Sequence, residues 1–322
     1  MPVDVVGIGM PVVDCLVSME RLPESDEQTY VHELSWQGGG KVATALAALG
    51  RLGARGEMIG VVGEDVFGRH CICDFQWNGV GVSRLVTDPG TTTDFSIVIS
   101  ERARQARSFI SRRGTCRALC EEDLDETLLR SARYLHLSEL SPTAARAARI
   151  VREAGGRVVI DADLYAADIR RNIALTDVFI ASRYFYEGMF AGGSLRENCR
   201  ALQKLGPEIV IVTLGAEGCA GIGREGYFEL PAFTGLPVAD TTGAGDVFHG
   251  AFIAGLLRGC GTMEAARFAS AASAITCTRL GGRAGIPDRE MLEDFLRNGS
   301  FDPAPLDERA RRYAAGPFGA ND

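Results

Sequence analysis

From about residue 120 the chain alternates between two kinds of segment, and this alternation constrains its fold more than any other feature. The polar, helix-like stretch EEDLDETLLRSA leads to the apolar run YLHLSEL, and PTAARAARIVREAG leads to RVVIDAD. A further short helix leads to DVFIAS, and LRENCRALQKLG leads to EIVIVTLG. Short apolar runs between helices read as strands buried on both faces. Strands joined through helices by short connections form a parallel sheet, with the helices covering its two sides. The run VDVVGIG near the start and the segment from Glu57 to Val62 supply further strands, and no repeat of 20–50 residues is visible.

Two regions break the pattern. Residues 15–36 and 91–111 hold short β-like runs, among them Tyr30 to Trp36, DFSIVIS and RSFIS. The last two are separated by the charged turn ERARQ, as in a hairpin. These runs read as a small accessory sheet inserted into the main domain, which beside the carboxyl end of a parallel sheet serves as a lid. Residues 1–302 then form one domain, and the tail 303–322, rich in Pro, Gly, Ala and charge, reads as a loosely held extension.

Glycine is in excess, at 39 of 322 residues, about 12% against a usual 7%. Only 12 prolines accompany it and no G-X-Y period appears, so the positions carry the information. Gly38-Gly39-Gly40 opens the helix KVATALAALGRLGA, whose Val42, Ala45, Leu46, Leu49 and Leu52 recur at helical spacing. The densest cluster is Asp240 to Phe252, DTTGAGDVFHGAF. Small residues at Gly243, Ala244 and Gly245 let several backbone N–H groups converge on one anion at a helix N-terminus. Asp246 in the first turn either stabilises that terminus, worth ~0.3–1 kcal/mol, or takes a proton from a hydroxyl held beside the anion. Asp240, Thr241 and Thr242 make the cluster more polar than a cap requires, which favours the second role. No G-x-x-x-x-G-K-[ST] loop exists, and Gly7-x-Gly9 lacks the third glycine of a dinucleotide fingerprint.

Charge and cysteine usage exclude other classes. The 42 acidic and 34 basic residues give a formal net charge of −8, a poor match for nucleic acid or an anionic membrane surface. No run of about 18 apolar residues predicts a membrane span. The first residues have no basic region and carry Asp4 and Asp14, unlike a signal peptide. Nine cysteines without C-x-x-C spacing, beside only four histidines, fit reduced thiols in the cytoplasm rather than disulfides or a zinc site.

DTTGAGDVFHGAF closely resembles the C-terminal signature of the ribokinase-like (PfkB) carbohydrate kinases, and GGGKVATALAALGRLGA followed by GVVGEDVFG resembles their N-terminal signature. The resemblance runs in order from GIGMPVVD to CTRLGGRAGIP. It implies a ribokinase-like three-layer αβα sandwich with a mainly parallel central sheet and a small β-sheet lid, and ATP-dependent phosphorylation of a hydroxyl. By matched motif, Asp246 is the general base, and Gly243, Ala244 and Gly245 form the anion hole. Asp14 matches the acidic residue that holds sugar hydroxyls, and Gly39 and Gly40 the glycine pair under the substrate. Thr213, Gly215, Ala216 and Gly218 resemble the T-x-G-x-x-G nucleotide segment, and Ser182 and Ser270 join that set. Mg²⁺ would arrive with ATP. Asp240, Thr242, Thr276, Arg279, Gly281 and Gly285 match the loops that hold a monovalent cation, whose hard oxygen donors suit K⁺. The resemblance also implies a homodimer paired through the lids.

The sequence departs from the family at the substrate end. Thr44 stands where ribokinases carry Asn, and Ser182 and Phe185 replace the Asn and Glu of an N-x-x-E segment that organises Mg²⁺, with Glu187 as a substitute. The C-terminal third most resembles the sulfofructose kinase subgroup, which implies an anionic ketohexose-type substrate. That subgroup's sulfonate-binding residues have no clear match, since Ser111 and Leu137–Leu140 stand at their places. Lys41, Arg112 and Arg113 are the cationic candidates for such a group, and Glu139 for a sugar hydroxyl. The alternatives are a nucleoside kinase of the same fold, with Trp36 and Phe95 as aromatic candidates, or a non-catalytic sugar or nucleotide sensor.

Overall fold

The computed structural model describes residues 3–104 and 106–316. Nine strands form the main sheet: β1 (Val5–Ile8), β4 (Gly56–Gly63), β5 (Val80–Asp88), β8 (Tyr134–Leu137), β9 (Arg157–Ala162), β10 (Val178–Ser182), β11 (Ile209–Thr213), β12 (Cys219–Gly223) and β13 (Gly226–Leu230). Their order across the sheet is β13-β12-β11-β10-β9-β8-β1-β4-β5. Every neighbouring pair from β5 to β11 is parallel, and only β12 runs against its two neighbours. The expected mainly parallel sheet is present, with an antiparallel edge that the alternation did not foretell.

The sheet is covered on both sides because its strands alternate between two cores. Val5, Val159, Val178 and Ile209 pack with helices α1 (Lys41–Arg51), α8 (Ala244–Leu257), α9 (Thr262–Thr276) and α10 (Arg289–Asn298). Their neighbours Val6, Val158, Phe179 and Val210 pack with α4 (Pro142–Glu153) and α7 (Leu195–Gln203) on the other side. At β1 the order of connection reverses: the chain passes to β4 and β5 on one side and to β8 and beyond on the other. A parallel sheet opens a crevice outside its carboxyl ends at such a switch point.

The second sheet has four strands in the order β3-β2-β6-β7, namely β2 (Val12–Met19), β3 (Glu33–Gly39), β6 (Asp94–Glu101) and β7 (Ala106–Arg112). β2 and β6 run parallel, and the outer strands pair antiparallel to them. One face of this sheet packs onto the loop after α9, where Leu16 and Val98 bury Leu280.

The C-terminal segment corrects an expectation. Residues 304–315 form helix α11 (Ala304–Ala315) rather than a loose extension. Leu306 and Tyr313 are buried, and the Tyr313 hydroxyl donates to Asp74 Oδ1 at 2.6 Å. Composition misled because the helix buries one residue per turn and presents charge elsewhere. Residues 317–322 of the expected extension lie outside the described residues.

Candidate active site

The crevice between the two sheets is built from three helix or strand ends. The first is the start of α8. Gly243 caps it in a left-handed conformation (φ 75°), and a Cβ there would meet Gly282 Cα at 2.5 Å, so only glycine fits. The Ala244 N–H donates to the Thr241 carbonyl at 3.3 Å, which removes it from the expected anion hole. The N–H groups of Gly243, Gly245 and Asp246 find no acceptor among the described residues. A Cβ built on Gly245 meets nothing within 4 Å. Three free donors beside open space are the arrangement that a helix N-terminus can offer to an anion.

Asp246 projects from the same turn. Burial holds its carboxyl well above the ordinary value, and the Asp161 and Asp163 carboxylates push the same way while Lys41 and Arg283 oppose them. Lys41 begins α1, directly after the glycine triplet, and its Nζ lies 2.8 Å from Asp163 Oδ2. Burial works against the Lys41 charge, but the three carboxylates Asp161, Asp163 and Asp246 raise its pKa and keep it protonated. Asp161 is itself pushed up to about 6 by burial. His249 Nε2 lies 3.4 Å from Asp161, and the His249 and His136 rings stack at 5.4 Å. Burial drives both imidazoles down to about 3, so they are neutral packing partners beneath the site.

The second end is the floor. Burial pushes the Asp14 carboxyl up to about 6 against the pull of Arg283. A Cβ on Gly39 would collide with that carboxylate, and one on Gly38 with Asp74. Gly40 has φ 92° and faces the Met10 carbonyl. Arg283, 1% exposed, reaches from the loop after α9 to the Gly38 carbonyl at 2.8 Å and the Ala43 carbonyl at 3.1 Å. Its backbone N–H donates to Gln37 Oε1 at 2.7 Å, and Gln37 Nε2 donates to the Leu280 carbonyl at 2.7 Å. Arg283 thus ties the floor to the loop beside α8.

The third end carries that loop. Asp240 is buried and accepts from Thr242 N–H and Oγ1 and, at 2.9 Å, from Gly281 N–H. Gly285 lies so close to the Thr276 carbonyl that a side chain could not fit. Thr276, Gly281 and Gly285 therefore gather beside Asp240, while the Arg279 side chain turns away to Asp307 at 2.6 Å.

The pfkB family carbohydrate kinase model matches residues 3–289. The chain belongs to the pfkB family of carbohydrate kinases. It is 29% identical over 296 residues to the ATP-dependent ribose-1-phosphate kinase of Halopiger xanaduensis, covering 88% of this chain and 94% of that one. It is 29% identical over 283 residues to fructokinase-1 of Zea mays, covering 79% and 87%. Among solved structures, ribokinase from Thermotoga maritima superposes with a TM-score of 0.78 at 24% identity, covering 92% and 100%. An E. coli protein described as a ribokinase II, solved with ATP and Mg²⁺, superposes at 0.79 and 23% identity, covering 92% and 99%.

For a pfkB kinase, other predicted site residues fall in informative places. Thr213 ends β11 and donates to the Ala181 carbonyl at 3.3 Å. Gly215 has φ 62° with open space around it, Ala216 follows it, and Gly218 (φ 98°) abuts the Leu230 carbonyl. Ser270 lines a cleft of about 310 Å³ with Leu230, Pro231, Ala232, Phe233, Thr234 and Arg267. Thr44 is buried in α1, and Glu139 lies exposed after β8. Ser182 caps α6 (Arg183–Met189), accepting from Phe185 N–H and donating to the Asp163 carbonyl. Phe185 is fully buried and Glu187, two positions on, is exposed. Ser111 shares a hydroxyl contact of 2.9 Å with Ser96 in register with Asp14. Arg112 falls on the opposite lid face by strand alternation, and Arg113 lies exposed just beyond the strand.

Asp161 and Asp163 went unnoticed in the sequence. The available signal was RVVIDAD, a buried strand that ends on two carboxylates at the functional edge of a parallel sheet.

Proposed function

We propose that this kinase transfers the γ-phosphoryl group of ATP to a hydroxyl of a sugar or sugar derivative, with Asp246 as general base. One observation carries the reading: a buried carboxylate with a raised pKa stands on the same helical turn as three unengaged N–H groups around open space. The acceptor lies over Gly39 and Gly40 with its hydroxyls on Asp14. Asp246 takes the proton of the hydroxyl that attacks, and the N–H groups of Gly243, Gly245 and Asp246 stabilise charge on the transferred group. Lys41, held by Asp163, adds a cation at the same place. The cleft at Ser270 fits the adenine, with Gly218 against its Leu230 wall.

The residues present fit Mg²⁺ brought by ATP. Asp163, partly exposed, offers a carboxylate oxygen to an ion that keeps several of its waters. Mg²⁺ neutralises phosphate charge when bound. Asp240, Thr242 and the carbonyls of Thr276, Arg279, Gly281 and Gly285 supply hard oxygen donors suited to K⁺. Leu34 and Ile110 are exposed on the outer lid face, which supports a homodimer paired through the lids. Nine free cysteines support a reducing, cytoplasmic setting, and no helix among the described residues is long and apolar enough to cross a membrane.

Phe109, 54% exposed on the inner lid face, favours a nucleoside acceptor as the second reading, since it offers a ring on which a base can stack. One relative, from Methanothermobacter thermautotrophicus, is named a nucleoside kinase. ADP formation and product phosphate are to be measured with ribose, fructose, ribose 1-phosphate and nucleosides, with and without K⁺. Asp246→Asn is expected to keep its fold and lose about 10²–10⁴ in kcat, the scale of general-base catalysis. Near-full turnover in that variant would remove Asp246 from the mechanism.

A further inference from the structure

The inner face of the lid carries a cation that this mechanism has not used. Along β7, residues Ser111, Phe109 and Arg107 pair with Ser96, Val98 and Ser100 of β6, and β2 extends the same rows with Asp14, Leu16 and Ser18. The Ser96–Ser111 contact shows that these residues share a face, and the burial of Leu280 under Leu16 and Val98 shows that this face looks onto the site. Arg107 therefore belongs to the inner face, and its Nη1 donates to Thr241 Oγ1 at 2.5 Å across 134 residues of sequence. Thr241 precedes Gly243 by two positions, so the guanidinium is bonded to the segment that leads directly into the α8 turn.

Nothing neutralises it. Among the described residues no carboxylate pairs with Arg107, and the Thr241 bond uses one of its five donors. The N–H groups of Gly243, Gly245 and Asp246 are likewise without acceptors. The guanidinium, tied to Thr241 by one of its donors, and the unengaged N–H groups that begin two residues further on offer donors to one and the same anion.

We propose that Arg107 is a lid-borne catalytic residue that leaves Thr241 when nucleotide and acceptor are bound and donates its guanidinium to the oxygens of the phosphoryl group under transfer. The inference rests on the kinase reading above. In the step, the acceptor oxygen forms a bond to the γ-phosphorus and its proton passes to Asp246. The bond from the γ-phosphorus to the bridging oxygen breaks, and its electron pair leaves on ADP. Arg107 forms no covalent bond. It offsets charge on the equatorial oxygens, as an arginine does in other phosphoryl transfers. Because it rides on the lid, its charge arrives with closure, when water is excluded.

The test compares Arg107→Gln, Arg107→Lys and Arg107→Ala with the wild-type enzyme, using ATP and whichever of ribose, fructose, ribose 1-phosphate or a nucleoside the wild type phosphorylates best. Arg107 is exposed, so all three variants are expected to melt with the wild type. The expected result for Arg107→Gln is a fall in kcat of about 100-fold or more with both KM values within about three-fold. Arg107→Lys should fall between, and guanidinium ion but not sodium should restore part of the Arg107→Ala activity. Unchanged kcat in Arg107→Gln would overturn the proposal. So would a rise in KM confined to a phosphorylated acceptor with kcat intact, since Arg107 would then read the acceptor rather than the transferred group. A wild-type enzyme that phosphorylates none of these acceptors would instead overturn the kinase reading itself.

Discussion

The two walls of the crevice are made in different ways. The wall at α8 is mostly backbone: Gly243 in a left-handed turn against Gly282, free N–H groups, and Asp240 locked by Thr242 and Gly281. The lid wall is made of side chains on regular strands, with Asp14, Ser96, Ser111, Phe109 and Arg107 in successive rows. Backbone donors cannot be exchanged by substitution, whereas strand side chains are replaced without disturbing the ladder that carries them. The first wall therefore suits the invariant part of the reaction, and the lid rows at Asp14, Ser96, Ser111 and Phe109 suit selection of the acceptor. Substitutions should separate the two: changes at the α8 wall and at Arg107 act on kcat, and changes in the other lid rows act on acceptor kcat/KM.

The largest effect should come from filling the open space at the start of α8. Gly245→Ala places a methyl group in open space within the first turn of α8, so no neighbour has to move. Alanine is favoured over glycine in a helix by about 1 kcal/mol, so the melting temperature should hold or rise. The methyl group nevertheless occupies the place of the transferred group, and kcat should fall by about 10²–10³, the scale seen when an oxyanion donor is lost. A stable variant with full kcat would show that this space is not where transfer occurs.

A smaller effect is expected at the lid. Asp14→Asn removes the charged group proposed to accept sugar hydroxyls, worth about 1.5–3 kcal/mol or roughly 10- to 150-fold in acceptor kcat/KM. The sign of its pH dependence follows from burial. Folded Asp14 titrates near 6 rather than 3.8, so the ionised form that accepts hydroxyls is gained as pH rises through about 6. The same shift makes the fold lose stability between about 4 and 6, because the buried carboxylate resists ionisation. Wild-type kcat/KM should therefore climb through pH 6 more steeply than the ionisation of Asp246 alone would give, and Asp14→Asn should flatten the limb to that single ionisation. If the limb keeps its wild-type steepness in the variant, Asp14 does not hold the acceptor.

The sequence made the backbone wall far more legible than the side-chain wall. Gly243 and Asp246 lie within four residues, so local spacing placed them on one helical turn. The parallel sheet was equally legible, because buried strands write themselves as short apolar runs. The lid required long-range register. Arg107, Arg112 and Arg113 look alike in a string, and only the pairing of β6 with β7 separates the inner face from the outer. Ala244 was misjudged because its N–H bond to Thr241 depends on how the turn closes. Asp161, Asp163 and Lys41 are 122 residues apart at their extremes and meet only because β9 ends and α1 begins at the same edge of the sheet. Helix α11 was missed because Leu306 and Tyr313 are its few apolar anchors among charges.

The subtlest test lies where the two walls meet. Asp163 accepts the Lys41 ion pair and adds negative charge that raises the pKa of Asp246. Asp163→Asn removes that charge and frees Lys41 to turn toward the base, and both changes favour ionised Asp246. The acid limb of kcat should therefore move to lower pH, by about half a unit to one unit, or roughly 0.7–1.4 kcal/mol between protonation states. Lys41→Met should move it the opposite way, because the cation that opposes the three carboxylates is gone. A merely structural role for Asp163 would lower the melting temperature and leave the limb in place. Opposite displacements in the two variants would instead show that the protonation of the base is set by charges just after β9 and at the start of α1, outside the glycine-rich turn on which Asp246 stands.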